Sequence, residues 1–97
     1  MHADSKQLTR AFGDYLRACM ASHSPAEVIG RRKRWNAARL SKEIGVDAAE
    51  VRRWLRNERV PAKNSTYLDD IATVLRLSEA EREGLIITCR RSRDVLT

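Results

Sequence analysis

Apolar residues recur every three or four positions along almost all of this chain. Nowhere do they alternate with polar residues over four to eight positions with β-branched enrichment. A 3.6-residue period puts such side chains on one stripe of a helix, whereas a half-buried strand needs a period of two. The expected fold class is therefore all-α, a compact five-helix bundle. The 97 residues suit one domain that buries roughly two-thirds of its unfolded surface. At 42% apolar with helical spacing, the chain can build a core and escape disorder. No apolar run approaches the ~20 residues that cross a bilayer. The N-terminus lacks the basic-then-apolar plan of a secretory signal, so a cytoplasmic protein with no membrane partner is expected.

Local signals set the helix boundaries. A first helix is expected over 5–20, with Leu8, Phe12, Tyr15, Leu16 and Cys19 on one stripe, Asp4 as N-cap and Gln7 completing a capping box. Ser24-Pro25-Ala26-Glu27 combines an N-cap, a proline at N1 and a glutamate at N3, and should open a short turn of helix through Val28 and Ile29. Asn36 caps a second helix over 37–44, and Trp35 and Leu40 are placed for a hydrophobic staple. Gly45 ends it in the left-handed conformation, and Val46 plugs the corner. Asp47 is the next N-cap, with Glu50 completing its box. The third helix, 48–56, turns Val51, Trp54 and Leu55 inward and Ala49, Arg52, Arg53 and Arg56 outward. Asn57 suits the position after its end, and Pro61 bars continuation.

A fourth helix from Ser65 or Thr66 buries Tyr67, Leu68, Ile71, Ala72, Val74 and Leu75. Ser78 and Glu81 form a further capping box that opens a fifth helix through about Arg90, with a helical or frayed tail from Arg90 to Arg93.

Charge is segregated along the chain. Residues 31–63 hold eleven of the 19 Lys+Arg and only four of the 13 Asp+Glu, so this third carries +7 while the remainder carries −1. A concentrated positive region suits a polyanion, because neutralising phosphates releases condensed counterions. Within it, the run Arg31, Arg32, Lys33 and Arg34 is read as a basic loop at a nucleic-acid backbone, with a solvated surface run as the alternative.

Catalytic chemistry finds little support. Cys19, Cys89, His2 and His23 share no ligand spacing, so no metal site and no cofactor are expected. The two cysteines are read as reduced core residues, with a redox pair as the alternative. No Ser/His/Asp or Cys/His set and no Gly-rich phosphate loop is present, and the acids are mostly caps or surface residues, so no enzyme is expected.

Two short helices joined at Gly45 are the elements of a helix-turn-helix. In such a unit the first helix braces the second, whose outer face meets the DNA major groove. Arg52, Arg53 and Arg56 occupy that outer face, and each guanidinium offers five donors and no acceptor.

The residues Leu40-Ser41-Lys42-Glu43-Ile44-Gly45-Val46-Asp47, then Val51, Trp54-Leu55-Arg56-Asn57-Glu58 and Pro61, resemble the lambda-repressor/Cro-like helix-turn-helix family, also called the xenobiotic-response-element family. Leu68, Ile71-Ala72, Leu75, Leu77-Ser78 and Glu81-Arg82 extend the resemblance, which covers about 36–83. It implies a single DNA-binding domain over 1–97, a prokaryotic or phage origin and a sequence-specific transcriptional regulator, with 48–56 in the major groove. By position, the base-reading residues would be Ala48, Ala49, Arg52, Arg53 and Arg56. Asn36 would hold a phosphate at the start of the second helix, and Asn57, Arg59 and Lys63 would line the backbone. The chain departs from the family pattern in three places. Ala48 and Ala49 stand where polar readers are usual, though alanine can meet a thymine methyl. Asn57 replaces the usual glycine. Residues 22–35 make a longer link than usual.

Apolar residues remain at the C-terminal end: Leu85, Ile86 and Cys89 make one face of the fifth helix, Ile87 points elsewhere, and Val95 and Leu96 add more apolar surface. A homodimer through 79–97 is expected, reading a palindromic operator in double-stranded DNA with recognition helices ~34 Å apart. Repression is the expected mode, since little chain remains for a separate effector domain. No small-molecule ligand is evident. The alternative class is a protein-interaction module, antitoxin-like or a regulatory arm, with DNA contact secondary.

Overall fold

The computed structural model describes residues 11–23 and 35–96, and within them five helices and no strand. They are α1 (Phe12–Ser22), α2 (Ala37–Ile44), α3 (Ala48–Leu55), α4 (Tyr67–Leu75) and α5 (Glu79–Leu96). The all-α expectation holds. The radius of gyration, 13.0 Å, is that of a compact domain of about 100 residues.

The middle of the chain follows its local signals closely. Asn36 is extended, and its Oδ1 accepts the Arg39 N–H at 2.8 Å. Gly45 is left-handed at φ 76°, and its N–H and that of Val46 both reach the Ser41 carbonyl. Asn57 is likewise left-handed at φ 63°. The Glu58 N–H donates back to Arg53 at 2.9 Å, closing α3 with a Schellman-type end. At the start of α5 both halves of the expected box form: Glu81 N–H to Ser78 Oγ at 3.2 Å, and Ser78 N–H to Glu81 Oε1 at 2.9 Å.

Other boundaries shift, each for a tertiary reason. α1 begins at Phe12, because Ala11 is extended (φ −67°, ψ 155°). Ala11 supplies no side-chain cap, and the first N–H groups of the helix are satisfied from afar. Phe12 N–H donates to Ser92 Oγ of α5 at 2.9 Å, and Gly13 N–H donates to Asn57 Oδ1 at 2.8 Å. The expected cap at Asp4 and Gln7, and the short helix at 24–29, lie outside the described residues. Asp47 caps α3 in backbone geometry only, for its side chain makes no capping bond. The Glu50 carboxylate turns instead to the Trp54 indole, 3.1 Å away. Helix α5 runs on to Leu96, past the expected end near Arg90, because Ser92 and Arg93 are held by contacts to Phe12 and Pro61.

The core draws on every helix: Phe12, Leu16 and Cys19 of α1, Leu40 of α2, Val51 and Trp54 of α3, Ile71 and Leu75 of α4, and Leu85 and Cys89 of α5, with Trp35 beside them. Tyr67 and Trp54 meet as tilted rings with centroids 5.7 Å apart. Helix α1 crosses the end of α3 so closely that a Cβ at Gly13 would lie 2.3 Å from the Trp54 carbonyl oxygen. Cys19 and Cys89 are buried free thiols. Burial, helped by the Glu81 charge, pushes Cys19 up to about 11, and burial raises Cys89 as well. Neither is a ready thiolate nucleophile at neutral pH.

Two stability measurements follow from these ends. At Gly45 a Cβ would meet nothing within 4 Å, so only the left-handed backbone opposes a side chain there. Gly45→Ala should cost about 1 kcal/mol in chemical denaturation, and Gly45→Asn less. Burial pushes the Glu81 carboxyl up, but hydrogen bonds from Ser78 and His23 (Nε2 to Oε2, 2.9 Å) outweigh it and hold the group below the usual carboxylate value. A depressed carboxyl contributes stability above its unfolded value and loses it as pH falls through the folded value. Glu81→Gln should therefore destabilise at neutral pH, and the gap to wild type should close in acid.

Candidate nucleic-acid interface

Burial separates two sides of α3, with Glu50 and Leu55 intermediate between them. Val51 and Trp54 are fully buried, while Ala49, Arg52 and Arg53 are exposed, as is Arg56 just beyond the helix end. Ala48 is half-buried. The outward row is not covered by any other described part of the chain. Two of its arginines reach carboxylates, but loosely. Arg53 lies 3.4 Å from Glu50 with 47% of its side chain exposed, and Arg56 lies 3.7 Å from Glu58 with 58% exposed. Charge-assisted bonds in a tight pair are nearer ~2.8 Å, so both guanidiniums remain open to a stronger acceptor. Arg53 in the last turn of α3 and Arg56 just past it also suit the negative end of the helix dipole.

Arg59 and Lys63 sit on the connection between α3 and α4, both exposed. That connection is held from beneath: Pro61 is buried, and its carbonyl accepts from Arg93 of α5 at 3.0 Å. Asn36 is exposed at the start of α2, with its side-chain oxygen already occupied by the Arg39 N–H. Arg31, Arg32, Lys33 and Arg34 lie outside the described residues.

The Asn57 side chain is engaged within the protein. Its Oδ1 takes the Gly13 N–H, and its Nδ2 points to Asp14 Oδ1 at 3.4 Å. The side chain thus ties the start of α1 to the end of α3 and helps set the direction of the arginine row.

Two further residues join the site that sequence spacing did not single out. Arg17 of α1 donates from Nε to the Leu55 carbonyl at 3.1 Å, adding an exposed cation beside the end of α3. Its only sequence signal is a place on the outer side of the first helix. Glu50 faces Arg53 and also Arg59, 3.6 Å away, whereas its spacing from Asp47 pointed to a cap.

No family model, curated protein or solved structure matches the chain. No described helix is long and apolar enough to cross a membrane.

The Asn57 bracket is testable by comparing two substitutions. Asn57→Gly keeps the left-handed backbone but loses the bond to Gly13, and should cost about 1 kcal/mol. Asn57→Ala adds backbone strain of roughly another 1 kcal/mol. Equal stability of both variants to wild type in urea denaturation would show that the bracket contributes nothing.

Proposed function

We propose that this chain is a sequence-specific double-stranded DNA-binding transcriptional regulator, with α2, the Gly45 turn and α3 acting as a helix-turn-helix that sets α3 in the major groove. The observation that carries this reading is the exposed row Arg52, Arg53 and Arg56 on a helix whose opposite face, Val51 and Trp54, is fully buried. A rigidly seated helix with guanidiniums on its open side can bring two donors at once to guanine O6 and N7. Ala48 and Ala49 leave the start of α3 slim and apolar, fit for a thymine methyl. Arg59 and Lys63 serve phosphates, as does the α2 start at Asn36, and Arg31–Arg34 extend the backbone contact. Asn57 stands with these backbone residues by position, and its side chain also ties α1 to the end of α3.

The regulator is read as a repressor that occludes a promoter, acting as a homodimer through α5 on a palindromic operator. The support for pairing is that Val95 is 85% exposed and that Ile86 and Ile87 stay half-buried on that helix. The same surface favours the second reading, a protein-interaction module that holds another protein on α5. Light scattering at tens of micromolar, with and without DNA, checks the dimer. A monomer under both conditions removes it.

Selection of bound duplexes from a random pool tests the main reading, and enrichment of a shared sequence is expected. On the enriched duplex, Arg53→Ala should cost ~1–3 kcal/mol and relax one base preference, whereas Lys63→Ala should weaken all duplexes alike and flatten the salt slope. Binding that ignores salt between low and physiological concentration would contradict the phosphate contacts.

A further inference from the structure

Glu50 is an acid at the centre of a cationic face, and each of its oxygens has a separate partner. Oε2 accepts from Trp54 Nε1 at 3.1 Å, and that indole belongs to a fully buried ring, so the core fixes where the carboxylate sits. Oε1 faces outward, 3.4 Å from an Arg53 nitrogen and 3.6 Å from an Arg59 nitrogen. Those two guanidiniums come from different elements, α3 and the connection that follows it. Like charges on long side chains would otherwise separate and scatter over rotamers. One shared carboxylate gathers them, at distances too long to lock them.

We infer that Glu50 is a positioning residue that determines specificity in the DNA interface, an inference that rests on the DNA-binding reading above. Its negative charge opposes contact with an arbitrary phosphate backbone and cancels part of the local cationic excess. A duplex with guanine at the right step offers Arg53 two acceptors in bidentate geometry, which outcompete the loose carboxylate contact. Arg59 is released toward the backbone in the same event. Glu50 thus raises the ratio of specific to non-specific affinity chiefly by weakening the latter, a repulsive element built into the reading face.

The test is Glu50→Gln, which keeps an oxygen acceptor for the Trp54 indole while removing the charge. Binding is measured by fluorescence anisotropy on the tightest duplex recovered from a random pool and on a scrambled duplex of the same composition, over a salt series. The scrambled duplex should bind about fivefold more tightly near 0.15 M salt with a salt slope steeper by about one, the effect of roughly one more released counterion, while the selected duplex changes by about twofold or less. Glu83→Gln removes the same charge from an exposed acid of α5 and should leave the affinity ratio unchanged. An unchanged ratio in Glu50→Gln, an equal fall in both variants, or a uniform loss of binding together with a lowered melting temperature would overturn the inference alone. Should Glu50→Gln fail to fold, Arg59→Gln decides instead. A salt slope flatter by about one on both duplexes supports the assigned roles, and an altered base preference overturns them. Wild-type protein that binds neither duplex, or both alike, overturns the DNA reading and this inference with it.

Discussion

Trp54 joins the packing of this protein to its charge. The ring is wholly buried and packs against Tyr67, and α1 lies close over the backbone at the same residue, so α3 has one rotational setting about its own axis. Because an α-helix has two sides, seating Trp54 and Val51 inward obliges Arg52, Arg53 and Arg56 to face out. The one polar atom of the indole needs a partner in that setting, since a buried unpaired donor is costly. Glu50 supplies it one turn back, and the remaining oxygen of Glu50 then stands among the arginines. A single aromatic side chain therefore aims the helix and places the acid that tempers it.

Several helix ends are completed by residues distant in sequence. The start of α1 has no cap of its own, and Ser92 and Asn57 provide its acceptors across 80 and 44 positions. The connection carrying Arg59 and Lys63 rests on buried Pro61, which Arg93 holds through its carbonyl. In both places a residue of α5 holds an element next to the exposed arginine row. This arrangement accounts for the length of α5: its last two turns have work to do on neighbouring elements, and they stay helical while doing it.

The cationic face is open but not uniformly so. Arg53, Arg56 and Arg59 each have an acid within 4 Å, at separations that leave most of their donors unused. Exposed pairs of this kind contribute little to stability, roughly 0–1 kcal/mol. Their value is geometric, because they restrict where long side chains dwell before any partner arrives. Arg17, tethered to the last carbonyl of α3, widens the same face from a third element.

The helical class, the left-handed ends at Gly45 and Asn57, the caps at Asn36 and Ser78–Glu81, and the inner and outer sides of α3 were all legible in the residue order. Each depends on neighbours three or four positions apart or on the conformational range of one residue, and such preferences act before the chain has a tertiary structure. The late start of α1, the turn of Glu50 from cap to indole partner, the bracket role of Asn57 and the extension of α5 were decided only when helices packed. Their partners lie in different helices or compete with a local bond of similar strength, and no local pattern can say which acceptor a donor will meet once the core has closed.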